Sequence, residues 1–61
     1  MGVDVDWLSS CLVDGLLYPQ QLVLYHRLAF MANRGMAPLG FVSLQKRILL
    51  IAVSNGWQDV L

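Results

Sequence analysis

The sequence predicts a small all-α protein, a three-helix unit with a short N-terminal helix and two longer helices, completed by homodimerisation. Three observations favour this fold class: apolar residues recur at helical spacing in three segments, glycine or proline separates the segments, and 61 residues suffice for one small domain. The predicted single domain covers residues 1–61, with helices at about 6–15, 19–34 and 43–55.

The first helix is predicted over the segment "DWLSSCLVD". Asp6 is expected to cap it, because a carboxylate accepts hydrogen bonds from the free N–H groups of a first helical turn. Gly15 is the expected stop. Four residues form a continuous apolar stripe along this helix: Trp7, Leu8, Cys11 and Leu12.

The pair Tyr18-Pro19 separates the first helix from the second. A residue before proline is pushed out of the helical region, whereas proline itself fits the first turn of a new helix. Helix two is therefore predicted from about Pro19 to Asn33 or Arg34, with Gly35 as its left-handed cap. Its core-facing line is predicted to be Leu24, Leu28 and Met31, flanked by Tyr25, Ala29 and Ala32.

The segment "GMAPLGFV" is expected to be a loop, after which Ser43 caps the third helix and Gly56 ends it. This helix is apolar all round, a pattern typical of a helix buried on both sides. One stripe is predicted to face the core: Leu44, Ile48, Ile51 and Ala52. A second stripe, Leu49, Leu50 and Val53, is predicted to face another molecule.

A β-strand is the alternative for "RILLIAV", which is rich in Ile, Leu and Val. Its only candidate partner is "PLGFVSL", and Lys46 and Arg47 interrupt the pairing segment. Since a single hairpin is marginally stable in water, the helix is the preferred interpretation.

The composition contains more apolar residues than so small a core can hold. An ordinary soluble domain carries about 25% charged residues, whereas this chain is 13% charged and 57% hydrophobic, with a mean hydropathy of +0.60. A core of this size absorbs roughly a dozen to fifteen large side chains. The surplus is expected to meet a second copy, another protein or lipid. The expected dimer or partner interface comprises Leu49, Leu50, Val53, Trp57, Val23 and Phe30, of which Val23 and Phe30 form a separate narrow ridge on helix two.

No catalytic or metal-binding constellation is predicted. Cys11, His26 and either Asp6 or Asp14 supply the residue types of a nucleophilic triad, but Cys11 lies on an apolar stripe and His26 on the polar side of helix two. No His, Cys or Asp pair has metal-ligand spacing. The chain is therefore expected not to be an enzyme and to need no cofactor, metal or small-molecule substrate.

The distribution of charge predicts one cationic patch. The formal net charge of zero argues against a dedicated nucleic-acid binder, which usually has a strongly basic face. Arg34, Lys46 and Arg47 flank one loop and form the expected patch, which would contact an acidic protein surface or phosphates. A solvated rim is the preferred alternative, because exposed ion pairs are common and weak.

The compartment predicted from the sequence is the cytoplasm. The start of the chain has no basic segment of a signal peptide, no apolar run approaches about 18 residues, and the single cysteine forms no internal disulfide.

These features predict a small non-enzymatic regulator, inhibitor or adaptor that binds itself and another protein through an apolar helix face. Two alternatives belong to other classes. One is a membrane-associated small subunit or peripheral helical protein, whose excess apolar area meets lipid. The other is a helix-turn-helix DNA-binding regulator, disfavoured because the loop between helices two and three exceeds the usual turn of about 3–4 residues and the outer face of helix three is apolar.

Overall fold

A computed structural model describes the chain from Gly2 to Leu61, with side chains from Asp4 onward; Met1, the first residue of the predicted domain, lies outside the described residues. The elements are α1 (Gly2–Asp14), α2 (Pro19–Asn33), α3 (Phe41–Asn55) and a C-terminal 3₁₀ turn (Gln58–Val60). The predicted all-α fold of three helices is confirmed. Residues 2–61 contain no strand, so the alternative of a strand at residues 47–53 is wrong.

The first helix starts earlier than predicted, at Gly2 instead of Asp6, and its 13 residues make it nearly as long as the others. Asp6 is therefore not the cap; its carbonyl oxygen accepts a 2.7 Å hydrogen bond from the Ser9 hydroxyl within the helix. Val5 packs against the core, so tertiary contact holds the additional turn. The helix ends as predicted, with the Gly15 N–H donating to the Cys11 carbonyl oxygen at 2.9 Å.

The second helix begins at Pro19, as predicted, and ends at Asn33, the earlier of the two predicted ends. Gly35 adopts the left-handed conformation with φ of 72°. The Met36 N–H donates to the Met31 carbonyl oxygen at 2.8 Å, and the Gly35 N–H donates to that of Ala32 at 3.0 Å. This pair of bonds is a Schellman motif, which satisfies carbonyls that a helix end leaves free.

The third helix starts at Phe41, so the prediction that Ser43 caps it is wrong. Gly40 occupies the capping position with φ of 88°, a left-handed conformation that glycine adopts without steric cost. The Phe41 side chain is fully buried. Because it packs in the core, Phe41 belongs to the first turn of α3 and not to the loop in which it was predicted to lie. The helix ends at Asn55, followed by Gly56 as predicted.

The core lies between the inner faces of the three helices and under the 3₁₀ turn. The Cα radius of gyration is 10.5 Å, which matches the value of about 10.5 Å expected for a folded chain of this length. The buried apolar side chains are Leu8, Cys11, Tyr25, Leu28, Phe41, Leu44, Ile48, Ala52 and Val60.

Three core predictions need correction. In α2 the buried line passes through Gln21 and Tyr25 to Leu28, whereas Leu24 and Met31, predicted to face the core, are only half-buried. Contacts from α1 to Gln21 and from α3 to Tyr25 reach this side of the helix.

The second and third core predictions that need correction concern Trp7 and Ile51. Trp7 is 45% exposed at the edge of α1 instead of buried in its stripe. Ile51 is half-buried, because the inward direction of α3 is set by Phe41 and Ile48.

Gln21 is the polar residue in this core, and it ties α2 to α1. Its Nε2 donates to the Trp7 carbonyl oxygen at 2.8 Å and to the Ser10 Oγ at 3.0 Å. Its Oε1 accepts from the Tyr18 N–H at 3.1 Å, which caps the start of α2. One side chain thus fixes both the beginning of α2 and its position along α1.

The C-terminal segment folds back on the bundle. Trp57 is half-buried against the core, as predicted. Its backbone N–H donates to the Ala52 carbonyl oxygen at 2.9 Å. His26 Nε2 lies 3.0 Å from the Asp59 carbonyl oxygen, which places the 3₁₀ turn beside α2. Val60 is buried beneath it.

Candidate protein-interaction surfaces

The residues of the candidate triad are not arranged for nucleophilic catalysis. Cys11 is fully buried, and its burial raises the pKa of the thiol, which disfavours the reactive thiolate. His26 is exposed on α2 and bonded to a backbone carbonyl. Within residues 4–61, no group of three or more His, Cys, Asp or Glu side chains is placed to hold a metal ion.

Two concave features of the surface are open grooves. One, of about 390 Å³, is lined by Leu17, Leu22, Gly56, Trp57, Gln58 and Asp59. The other, of about 240 Å³, lies between α1 and α2 and is lined by Asp4, Trp7, Gln20, Val23, Leu24 and Arg27. Small-molecule sites instead enclose most of their ligand, so these grooves suit contact with another macromolecule better.

The outer side of α3 exposes large apolar side chains around a lysine. Leu50 and Val53 are 72% and 70% exposed, as predicted, whereas Leu49 is half-buried. Val42, Lys46, Leu49 and Val53 follow one another at intervals of four, three and four residues, which places them on one side of the helix. We call Val42, Lys46, Leu49, Leu50 and Val53 the α3 face.

The outer side of α2 repeats this spacing with two basic residues. Val23, Arg27, Phe30 and Arg34 are all exposed, and we call them the α2 ridge. The Arg34 guanidinium carbon lies 4.6 Å from the centroid of the Phe30 ring, a cation–π arrangement. This contact holds Arg34 on the α2 ridge.

The predicted cationic patch therefore draws its members from two helix surfaces. Arg34 stacks on Phe30 of α2, whereas Lys46 and Arg47 extend from α3, where both are exposed. The role of the three residues in binding stays a prediction. The interface role predicted for Trp57 also stays one; its ring lines the larger groove beside the 3₁₀ turn.

Charge is segregated by helix across the whole bundle. The acidic residues Asp4, Asp6 and Asp14 all lie in α1, and no Lys or Arg precedes Arg27. Residues 15–58 contain every Lys and Arg of the chain and no acidic residue. The α1 surface is accordingly negative and the surfaces of α2 and α3 are positive.

Sequence reasoning missed the burial of Gln21 and the exposure of Trp7. Gln21 shares a helix side with Tyr25 and Leu28, at spacings of four and three, so its position in the pattern was a signal of burial. The exposure of Trp7 had no such signal, since its spacing fits the apolar stripe of α1 equally well.

Among the described residues, no helix is both long and apolar enough to cross a lipid bilayer. Comparisons with protein-family profiles, curated proteins and solved structures found no match. The exposed faces of α2 and α3 are therefore the observations from which a function is proposed.

Proposed function

We propose that this chain is a small, non-enzymatic protein-binding regulator, inhibitor or adaptor of the cytoplasm, and that its α3 face docks an acidic amphipathic helix of a partner protein. The observation that carries this proposal is the exposure of Leu50 (72%) and Val53 (70%) beside the exposed Lys46. An apolar helix side rimmed by charge is a surface that groove-type or helix-type partners cover.

Burial of these side chains supplies the binding free energy. Fully burying a Leu or Val side chain contributes about 1.5–3 kcal/mol. On the α3 face, Leu50 and Val53 are mostly exposed and Val42 is half exposed, so much of this contribution is still available for binding. The face also has a rigid backbone, because Phe41 and Ile48 anchor the opposite side of α3 in the core. Little ordering of the helix is then needed on binding.

The charge of the face favours an acidic partner. Lys46 and Arg47 extend from α3, and the segment from residue 15 to residue 58 has no carboxylate side chain to neutralise them. Basic residues around an apolar patch speed the encounter with acidic surfaces and disfavour basic ones. An amphipathic helix with Leu or Phe anchors and flanking Glu or Asp fits both properties.

The test compares two glutamate substitutions on the same helix. Leu50→Glu places a carboxylate on the α3 face, whereas Asn55→Glu places the same group at an exposed position of α3 that lies on another side of the helix. Both variants are checked for helical circular dichroism. Proteins recovered from the native cells with the wild-type chain are then purified and titrated against all three forms by calorimetry.

We expect a true partner to bind the wild type and Asn55→Glu with similar Kd, and Leu50→Glu at least about tenfold more weakly, as for loss of an interface anchor. Equal binding of all three forms would show that the α3 face is not the docking surface.

A second candidate function is binding to an anionic membrane surface, and the α2 ridge favours it. Val23 and Phe30 alternate there with Arg27 and Arg34, a combination of apolar and basic residues found on interfacial helices. Co-sedimentation with vesicles of anionic or zwitterionic lipid separates the candidates: binding to the anionic vesicles that Phe30→Glu abolishes supports the membrane function, and absence of binding removes it.

A DNA-reading role for α3 is not proposed. Base edges and phosphates are contacted by Arg, Lys, Asn, Gln or Ser, whereas the α3 face is apolar except for Lys46.

A further inference from the structure

The groove between α1 and α2 has walls of opposite charge around an exposed tryptophan. Its α1 wall carries Asp4 and Trp7, and its α2 wall carries Val23 and Arg27. Trp7 is 45% exposed and Val23 is more than half exposed, although tryptophan is among the residues that interfaces bury most often. We call this side of the molecule the α1/α2 face.

The charges of each wall continue along its helix. On the α1 side, Asp14 lies seven residues after Trp7 and so on the same side of the helix, and α1 contains no basic residue. On the α2 side, Arg34 adds to Arg27, without any acidic residue. The α1/α2 face is therefore half acidic and half basic.

We propose that the α1/α2 face binds the same face of a second copy of this chain, forming an isologous dimer. A two-fold axis through the groove sets the acidic α1 wall of each copy against the basic α2 wall of the other, so every favourable charge pairing occurs twice. The two Trp7 side chains lie near this axis and pack on the apolar residues of the opposite α2, Val23 and Phe30.

Charge distinguishes this dimer from one that pairs α3 with its own copy, the interface expected from the sequence. An α3–α3 interface would include Lys46 of both copies, and neither α3 supplies a carboxylate to offset these charges. Like charges across an interface disfavour association. The α1/α2 dimer avoids this repulsion and leaves the α3 face of both copies free for a partner protein.

The size of the molecule is sufficient for such an interface. A standard interface removes about 800 Å² per partner from solvent, which is roughly a fifth of the 4243 Å² accessible surface of this chain. One side of two adjacent helices in a molecule of 28 × 20 × 19 Å supplies an area of this order.

Charge reversal tests the proposal through solution mass. The variants Asp4→Arg and Arg27→Asp each give the two charged residues that line the groove the same sign, so each should dissociate toward the 6.8 kDa monomer. An equimolar mixture of the two restores opposite walls and should form a heterodimer of twice that mass. A chain with both substitutions should dimerise with itself again. Sedimentation equilibrium at about 10 to 200 µM measures all four samples, with wild type as the reference.

We expect each single reversal to raise the dimer dissociation constant roughly tenfold or more, because two pairings turn from attractive to repulsive. The mixture and the double variant should return to within about threefold of wild type, and this rescue excludes simple unfolding as the cause of dissociation.

Three results would overturn the proposal. They are a wild-type protein that stays monomeric throughout this concentration range, single reversals that leave the mass unchanged, and a mixture that fails to associate. Leu50→Glu is the matched control on the other surface and should leave the dimer intact; dissociation by Leu50→Glu would assign the interface to α3 instead. Failure of partner docking on the α3 face leaves this dimer untouched, so the two proposals fail separately.

Discussion

The Gln21 side-chain amide donates a 2.8 Å hydrogen bond to the backbone carbonyl oxygen of Trp7 and joins α2 to α1 deep inside the bundle. Gln21 is 1% exposed, so both ends of its amide need partners within the protein, and both have them. Through this bond Gln21 determines where Trp7 lies relative to Val23. Trp7 is the central residue of the α1/α2 face.

Replacing Gln21 with alanine should destabilise the fold by roughly 2–3 kcal/mol. The substitution leaves a cavity and removes the partner of the Tyr18 N–H, and each effect costs on the order of 1 kcal/mol or more. Urea unfolding followed by circular dichroism at 222 nm measures the change. Gln20→Ala, at the exposed neighbouring position, should change the free energy of unfolding by less than about 0.5 kcal/mol; equal effects at both positions would contradict the role of Gln21.

Phe41→Ala should remove a large part of the free energy of unfolding and lower the melting temperature. A fully buried phenylalanine contributes about 3–5 kcal/mol over alanine, while a domain of this length has only roughly 3–9 kcal/mol of total stability. Leu39, two residues earlier, is 100% exposed, and Leu39→Ala is expected to be neutral. Thermal melts of both variants test whether Phe41 belongs to the core or to the loop that its sequence context indicates.

Cys11 should make the protein less stable at alkaline pH. Burial, with Asp14 acting in the same direction, raises the pKa of the thiol in the folded chain, against a backbone hydrogen bond that lowers it. The neutral, buried thiol of Cys11 contributes its full amount to the free energy of unfolding below the pKa of a cysteine in the unfolded chain, about 8.5. This contribution is lost as pH rises from there through the higher folded pKa, because the unfolded chain releases its proton first.

Urea midpoints at pH 7 and at pH 10, under reducing conditions, measure this loss of stability. Cys11→Ala is the control: it removes the thiol, so its midpoint should fall less between the two pH values than that of the wild type. An identical fall in both proteins would mean that the thiol does not contribute.

His26→Ala should loosen the C-terminal 3₁₀ turn without unfolding the bundle. A carbonyl oxygen only accepts, so the His26 Nε2 must carry the hydrogen that it donates to the Asp59 carbonyl oxygen at 3.0 Å. An exposed hydrogen bond of this kind contributes about 0.5–1 kcal/mol. Amide hydrogen exchange at Val60 and Leu61 should therefore accelerate by about two- to fivefold, while exchange at Ile48 in the core stays unchanged. Acceleration at all three positions would indicate a global effect.

Local residue types predicted the ends of the helices better than the starts of α1 and α3. Pro19, Gly15, Gly35 and Gly56 act through their own backbone preferences, and the ends that they mark are those found in the structure. The starts of α1 and α3 were misplaced because long-range packing decided them. Phe41 enters the core and carries the chain into a helix two residues before the expected cap.

Side-chain orientation was predictable only within the limits of helical periodicity. The spacing identified Leu8, Leu28 and Ile48 as inward, and all three are buried. It also identified Leu50 and Val53 as outward, and both are exposed. It misassigned Trp7 and Ile51, because residues at the edge of a stripe are buried or exposed according to where the neighbouring helices lie.

The sequence by itself determined the number of helices, their approximate limits, the apolar excess and the segregation of acidic α1 from basic α2 and α3, because these depend on residue type and order along the chain. Only the tertiary structure decided that Gln21 is buried, that Arg34 stacks on Phe30, and that Asp4 and Arg27 line opposite walls of one groove. The last two depend on how the helices pack and which way a side chain turns, and helical periodicity specifies neither. Periodicity places Gln21 on the side of Tyr25 and Leu28, but only the packing of α1 supplies the partners that its buried amide requires.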